Sequence, residues 1–360
     1  MTVTGPRIKD FTGVADARFP VEIVSDPLFE ALLSLFILTT HRDGTLSQTD
    51  VDPSWFERVE SAGGPSLTSG LERLSGVPQV WLGLIGPALA LGDHRSAEAL
   101  AEIVRADADA TRRRLADAVC EHCSTPEERD LVAAAVAGDA AAMARVAAGD
   151  GCPTPEPLKK LLSRPAAEIA DLIADTLLTF AHDVFGDGED VAPVLKHDAE
   201  HKQAMAMTME PSQLVEVATN GVTFTMIPEV DRIVLIPSVI LRPWVTISDH
   251  GRTRVFCYSV AEEHLEADAD TPPAWLVEVY KALGDERRLR ILRILKDGPA
   301  SLADITTRTS LAKSTVHHHL SVLRRAGLVR ITLGTESEYS LRGDAVPEAA
   351  RLLAGFLDQD

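Results

Sequence analysis

Cysteine is scarce in this chain: four residues in 360, at Cys120, Cys123, Cys152 and Cys257. So thin a scatter makes no disulfide framework, and reduced thiols are the expectation. Long apolar runs are missing as well. A membrane helix needs roughly 20 uninterrupted apolar residues, and Thr39–Thr40 and Gly86–Pro87 break the best candidates. The first residues, with Arg7, Lys9 and Asp10, hold no apolar core followed by a small-residue cleavage site, so no export signal is read there. The expectation is a cytoplasmic chain with no membrane association. Catalytic signatures are equally absent, with no nucleophile elbow, no glycine-rich phosphate loop and no His-Glu-x-x-His pattern. No catalytic residue and no enzyme activity are therefore expected.

Metal ligands are sparse too. Cys120-Glu-His-Cys123 has the spacing of half a zinc or redox site, but no second cysteine pair stands at a suitable separation. His197, His201 and Met205 share one helical face, yet the intervening Asp198, Glu200 and Lys202 read as a solvated surface. Neither a metal nor a cofactor is expected.

What is present is an ordinary globular composition, 45% hydrophobic and 25% charged, in a length that suits two or three domains. The net charge of −19 is unevenly spread. Residues 271–345 carry 12 Lys and Arg against 8 Asp and Glu, a net +4, whereas residues 1–270 carry 22 against 43, a net −21. Phosphate attraction acts within about one Debye length, roughly 8 Å at physiological salt. The basic end can therefore meet nucleic acid while the acidic body disfavours wrapping.

Along the chain, residues 1–25 read as an irregular tail. From Asp26–Pro27, a cap followed by proline at the first helical position, to about residue 210 the pattern is helical. Apolar positions recur at helical spacing in Trp55–Val59, Val80–Leu91, Ala97–Val119, Leu131–Val146 and Ile169–Phe185. Residues 26–210 are thus expected to form a helical domain. Residues 211–261 contain short β-branched runs punctuated by Pro228, Pro237 and Pro243, which predict a small antiparallel sheet closing that domain. Residues 262–273, acidic and ending in Thr-Pro-Pro, read as a linker, and 274–360 as a separate domain.

That last domain carries the strongest local signals. Gly284–Asp285 ends one helix and caps the next, which runs through Leu289, Leu292 and Leu295 to a stop at Gly298–Pro299. Ser301 and Asp304 form a capping box, and a turn over Thr309–Ala312 leads into Lys313–Ala326. In that helix Val316, Leu320 and Leu323 make the buried stripe. At about 100° per residue, Ser314, His318, Ser321 and Arg325 fall on the far side, with Thr315, His317 and Arg324 flanking them. Hydroxyls and imidazoles there can reach base edges, while Lys313, Arg324 and Arg325 can neutralise phosphates. His319 lies nearer the core and is expected to be a satisfied boundary residue. Leu328–Leu333 and Tyr339–Leu341, joined through Gly334–Glu338, predict a hairpin wing.

The strings Ala282-Leu-Gly-Asp-Glu-Arg-Arg-Leu-Arg-Ile-Leu and Ser314-Thr-Val-His-His-His-Leu-Ser-Val-Leu-Arg-Arg-Ala-Gly-Leu-Val resemble the winged helices of the ArsR/SmtB family of bacterial regulators. The resemblance covers about a quarter of the chain. It implies a homodimer on the double-stranded DNA of a palindromic operator, usually a repressor released by an effector. The long N-terminal part is similar to uncharacterised domains of larger, actinobacterial-type members. Glu286 stands where the family usually has proline, Ala312 occupies the expected cap of the recognition helix, and the wing tip is acidic. The cysteine and histidine ligands of metal-sensing relatives have no counterpart in residues 271–360. The fold expected is mainly α with small β, a helical N-terminal domain followed by a C-terminal winged helix-turn-helix. A small apolar effector would bind the N-terminal domain, where Trp55, Trp81, Phe180 and Met205–Met209 suit a pocket lining and core packing equally. The alternative is a protein-interaction or dimerisation module without a ligand.

Overall fold

The structure, a computed structural model, describes residues 20–44, 51–120, 125–148, 164–224, 230–242, 244–261, 274–333 and 337–342, and isolated positions at 161 and within 347–354. Helix α1 (Pro27–Arg42) is the centre of the N-terminal part. Asp26 caps it, accepting from the Leu28 N–H at 2.9 Å. Its residues from Leu28 to Leu35 are buried on every side, as expected of a helix enclosed by its neighbours. It packs against α3 (Gln79–Gly83), α4 (Ile85–Ala90) and α9 (Ala166–Phe180), in a helical part that also holds α2 (Pro53–Arg73), α5 (Ala97–Ala106), α6 (Ala108–Cys120), α7 (Pro126–Val136) and α8 (Ala140–Ala148). Helix α2 kinks at Gly64–Pro65, where Gly64 has φ +57. The single helical stretches expected at 97–119 and 131–146 are each broken, at Asp107 and at Gly138–Asp139. Trp81 and Phe180 are core residues, and the Trp81 indole N–H donates to Thr39 Oγ1 at 3.0 Å. Among the described residues no helix is long and apolar enough to cross a membrane.

The first sheet differs from expectation. Its strands are β1 (Val21–Ile23), β3 (Arg232–Ser238), β4 (Thr246–His250) and β5 (Thr253–Ser259), in the order β1-β3-β5-β4. The pairs β1–β3 and β3–β5 are parallel and only β4–β5 is antiparallel, so the sheet is mixed. Strand β1 falls where an irregular tail was expected. Being parallel, the two central strands need cover on both faces, and they have it. Val234, Ile236, Val255 and Cys257 enter the large helical core, while Ile233, Leu235, Phe256 and Tyr258 join a second cluster with α11 (Pro211–Ala218). Glu30 of α1 is buried beneath the end of β3 and accepts from the N–H groups of Val239 at 3.0 Å and Ile240 at 2.7 Å. Burial pushes its carboxyl up to about 7.

Helix α10 (Ala192–Ala206) overturns another expectation. His197 and His201 are exposed, but Asp198 and Lys202, read as solvated, are buried. Asp198 accepts from the Tyr258 hydroxyl at 2.7 Å and the Ala261 N–H at 2.9 Å, and Lys202 Nζ lies 3.4 Å from its Oδ1. The lysine also sits over the Tyr258 ring. Buried charges survive where each finds partners, and here they fasten α10 to the end of β5.

The C-terminal part has its own core. It comprises α12 (Ala274–Leu283), α13 (Glu286–Lys296), β6 (Ala300–Ser301), α14 (Leu302–Thr309), α15 (Lys313–Arg325), β7 (Val329–Leu333) and β8 (Glu338–Leu341). The remaining strand, β2 (Val222–Phe224), leaves the first sheet and pairs parallel with β7. The second sheet therefore runs β2-β7-β8-β6, with a strand from ahead of the expected 262–273 linker on its edge. The linker lies outside the described residues.

Candidate nucleic-acid interface

Local chemistry builds the helix pair as read from the sequence. Asp285 caps α13, accepting from the N–H groups of Arg287 at 2.8 Å and Arg288 at 3.2 Å. The Ser301–Asp304 capping box opens α14 with both reciprocal bonds present. Ser310, with φ +55, closes α14 in a left-handed turn, and α15 follows with Ala312 at its cap and no side-chain acceptor there. The first-turn N–H groups of α15 are thus left without a side-chain cap. Gly327, at φ +66, ends the helix. Val316, Leu320 and Leu323 are buried as expected, but in α13 the inward residues are Ile291, Leu292 and Leu295, and Leu289 is 48% exposed.

The candidate contact residues divide by exposure. Lys313, Ser314, His317 and His318 are exposed over the first two turns of α15. Thr315, Ser321 and Arg324 are half-buried, and the Arg325 side chain lies outside the described residues. Several basic residues counted in the net charge are occupied within the protein. Arg290 pairs with Glu286, Arg308 with Asp297 at 3.1 Å, and Arg288 reaches the Ala282 and Lys281 carbonyls at 2.7 and 2.8 Å. Lys313 makes no ion pair among the described residues. Of the wing, Glu338 is exposed and Glu336 lies outside the described residues.

His319 is buried, as read, but it is not satisfied: neither ring nitrogen has a hydrogen-bond partner among the described residues. Burial holds its pKa below the ordinary histidine value, with the Asp285 carboxylate acting in the opposite sense and His318, Arg288 and Arg287 adding to the depression. A histidine kept neutral by folding contributes stability above its unfolded pKa of about 6.5, and that contribution is lost as pH falls. Thermal melts of the full chain between pH 8 and 5 are expected to show this loss, and His319→Met is expected to flatten it. An unchanged slope in the variant would mean that His319 titrates alike in both states.

The wing is held from behind by the segment between α11 and β2. Asn220, at φ +52, and Gly221, at φ +100, turn the chain so that Ile331 N–H donates to Gly221 O at 2.8 Å. Thr223 Oγ1 donates to Ile331 O at 3.2 Å and lies 2.8 Å from Thr332 Oγ1. Arg330 of β7 pairs with Glu216 of α11 at 3.2 Å, and Arg342 Nη1 donates to Asn220 Oδ1 at 3.2 Å. A Cβ at Gly221 would approach Val329 O to 3.1 Å in a left-handed backbone. Gly221→Ala is therefore expected to cost about 1–2 kcal/mol in denaturant unfolding. No loss would show that the β2–β7 pairing is not held at this turn.

Among the described residues no group of three or more His, Cys, Asp and Glu is placed to hold a metal ion. The side chain of Cys120 and the whole of Cys123 lie outside the described residues, so the Cys-Glu-His-Cys half-site does too. None of Trp55, Trp81, Phe180 and Met205–Met209 lines the cavity between α3, α4, α6 and the β4–β5 hairpin or the one bounded by Asp26, Arg95, Glu98 and His182. Met207 is 84% exposed.

Residues 285–330 match the family of bacterial regulatory proteins called arsR. Over 78 residues the chain is 35% identical to an uncharacterized HTH-type transcriptional regulator of Methanocaldococcus jannaschii, a stretch covering 21% of this chain and 88% of that protein. It is 28% identical over 82 residues to the transcriptional repressor SdpR of Bacillus subtilis, covering 22% of this chain and 91% of the repressor. It is 43% identical over 53 residues to the transcriptional activator HlyU of Vibrio cholerae, covering 15% of this chain and 49% of the activator. The helix pair and its caps occupy the matched stretch, with the wing directly following it, and the chain belongs to the ArsR family of bacterial regulatory proteins, as a DNA-binding transcriptional regulator with a long region ahead of its winged helix.

Proposed function

We propose that the chain is a sequence-specific repressor that binds a palindromic operator as a homodimer, with α15 as the helix that enters the major groove. The observation that carries this reading is the exposure of Lys313, Ser314, His317 and His318 on two successive turns above a fully buried Val316–Leu320–Leu323 stripe. Ser314, His317 and His318 read base edges. Lys313, Arg324 and Arg325 serve the phosphates, and Thr315 and Ser321 flank the contact. The uncapped first turn adds backbone donors where a phosphate can sit. Leu289, exposed on α13, supplies apolar surface suited to a second copy.

The region up to residue 261 serves as the effector domain, and residues 274–360 as the DNA-binding domain. Strand β2 supports this coupling, because it ties α11 of the first part to β7 of the wing. A small molecule that shifts α11 would move the wing and with it the spacing of two recognition helices. Band shifts with Lys313→Ala on operator and random duplex test the assignment. A roughly uniform loss on both, with a salt slope lower by about two units, one for each protomer, is expected of a phosphate contact. No change on either duplex would remove Lys313 from the interface.

A further inference from the structure

A cavity of about 430 Å³ lies between α3, α4, α6 and the β4–β5 hairpin. That is within the common range for small-molecule sites, roughly 300–1,000 Å³. Its walls are of two kinds. Leu82, Pro87 and Ile247 offer apolar surface, and Arg114, His250 and Ser248 offer polar groups. Arg114 makes no ion pair among the described residues, and its Nη1 is buried without a hydrogen-bond partner. Asp249, the carboxylate of this lining, is already engaged by Arg254, which donates to its two oxygens at 2.7 and 2.6 Å. The charge left uncompensated on the wall is therefore positive.

His250 is placed to hydrogen-bond rather than to add charge. Its Nε2 lies 3.0 Å from Ser248 Oγ, and burial together with the Arg114 charge depresses its pKa to about 4, against the attraction of Asp249. The imidazole enters the wall because position 86 is glycine: a Cβ there would stand 2.6 Å from Nδ1. A guanidinium in want of a partner, a neutral imidazole, a hydroxyl and an apolar wall together suit one kind of molecule.

We propose that this cavity binds a small organic monocarboxylate, its carboxylate on Arg114 with His250 and Ser248, and its apolar body against Leu82, Pro87 and Ile247. The assignment rests on the reading of the N-terminal region as an effector domain and names the chemistry of the effector. The hairpin that carries Ser248 and His250 continues as β5, whose Phe256 and Tyr258 pack in the same cluster as α11 and Ile331 of the wing. Occupancy can thus be felt at β7.

The test is calorimetric titration of the full chain, without DNA, with benzoate and octanoate and with the uncharged benzyl alcohol and 1-octanol. Saturable binding of at least one carboxylate, at least tenfold tighter than its alcohol, is expected. Arg114→Met should weaken it at least tenfold, and so should Gln79→Glu, which sets a like charge on the lining with almost no change of shape. No binding of either carboxylate, equal binding of the alcohols, or unchanged binding in both folded variants would overturn the site. Band shifts with and without the carboxylate then address the regulator reading separately. Binding to the cavity with no effect on DNA would leave the site standing and refute the effector role.

Discussion

Replacing His317 and His318 together by alanine is expected to lower affinity for the operator by about 2–6 kcal/mol per half-site, from roughly 1–3 kcal/mol for each base contact, and to change affinity for random duplex far less. Both side chains are exposed on α15 and neither belongs to its buried stripe, so the variant should melt as the parent does. Random DNA is held by phosphates, and the cations that neutralise them remain in the variant. The free energies are therefore expected to separate by duplex and not by stability. Equal losses on operator and random duplex, measured at one salt concentration, would show that the histidines do not read sequence.

The second large effect is on stability. Asp198→Ala is expected to destabilise the chain by about 3–5 kcal/mol, because removing one member of a buried pair strands the other. Lys202 would keep a buried ammonium, and the Tyr258 hydroxyl and Ala261 N–H would lose their acceptor. Removing both charges with Asp198→Leu and Lys202→Met should cost less than Asp198→Ala alone, since no orphaned charge is left. Urea unfolding of the full chain compares them. A single variant no less stable than the double would mean that water reaches Lys202 and satisfies it.

The parts of this fold that were legible in the sequence are those whose causes are local. Asp285, the Ser301–Asp304 box, Gly327 and the Val316–Leu320–Leu323 stripe each act within a few residues, and each stands in the structure where the sequence put it. Pairing between distant strands has no such signal. Val21 lies opposite Ile233, and nothing around residue 21 shows that a β-branched triplet there completes a sheet. Composition could not direct β2 to the wing either, since Val222–Phe224 reads like any other strand of its region.

Charge is the other source of error. Asp198 and Lys202 have the spacing of a solvated ion pair, and only their meeting with Tyr258 from 60 residues away buries them. The same non-local cause hid the cavity. Arg114 belongs to the region read as helical and Ser248 and His250 to the β-rich region, between the runs read as strands, and the glycine that admits the imidazole is on a third segment. At the interface, counting charges overstated the free basic surface, because Arg330 and Arg342 hold the segment behind the wing.

The claim that α15 reads a palindromic sequence as part of a dimer is tested most directly by selecting bound duplexes from a random pool with the full chain. The expected result is enrichment of one inverted repeat with half-sites about one helical turn apart, lost when the selection is repeated with His317→Ala and His318→Ala. Enrichment of no sequence, or of the same repeat by the variant, would contradict it.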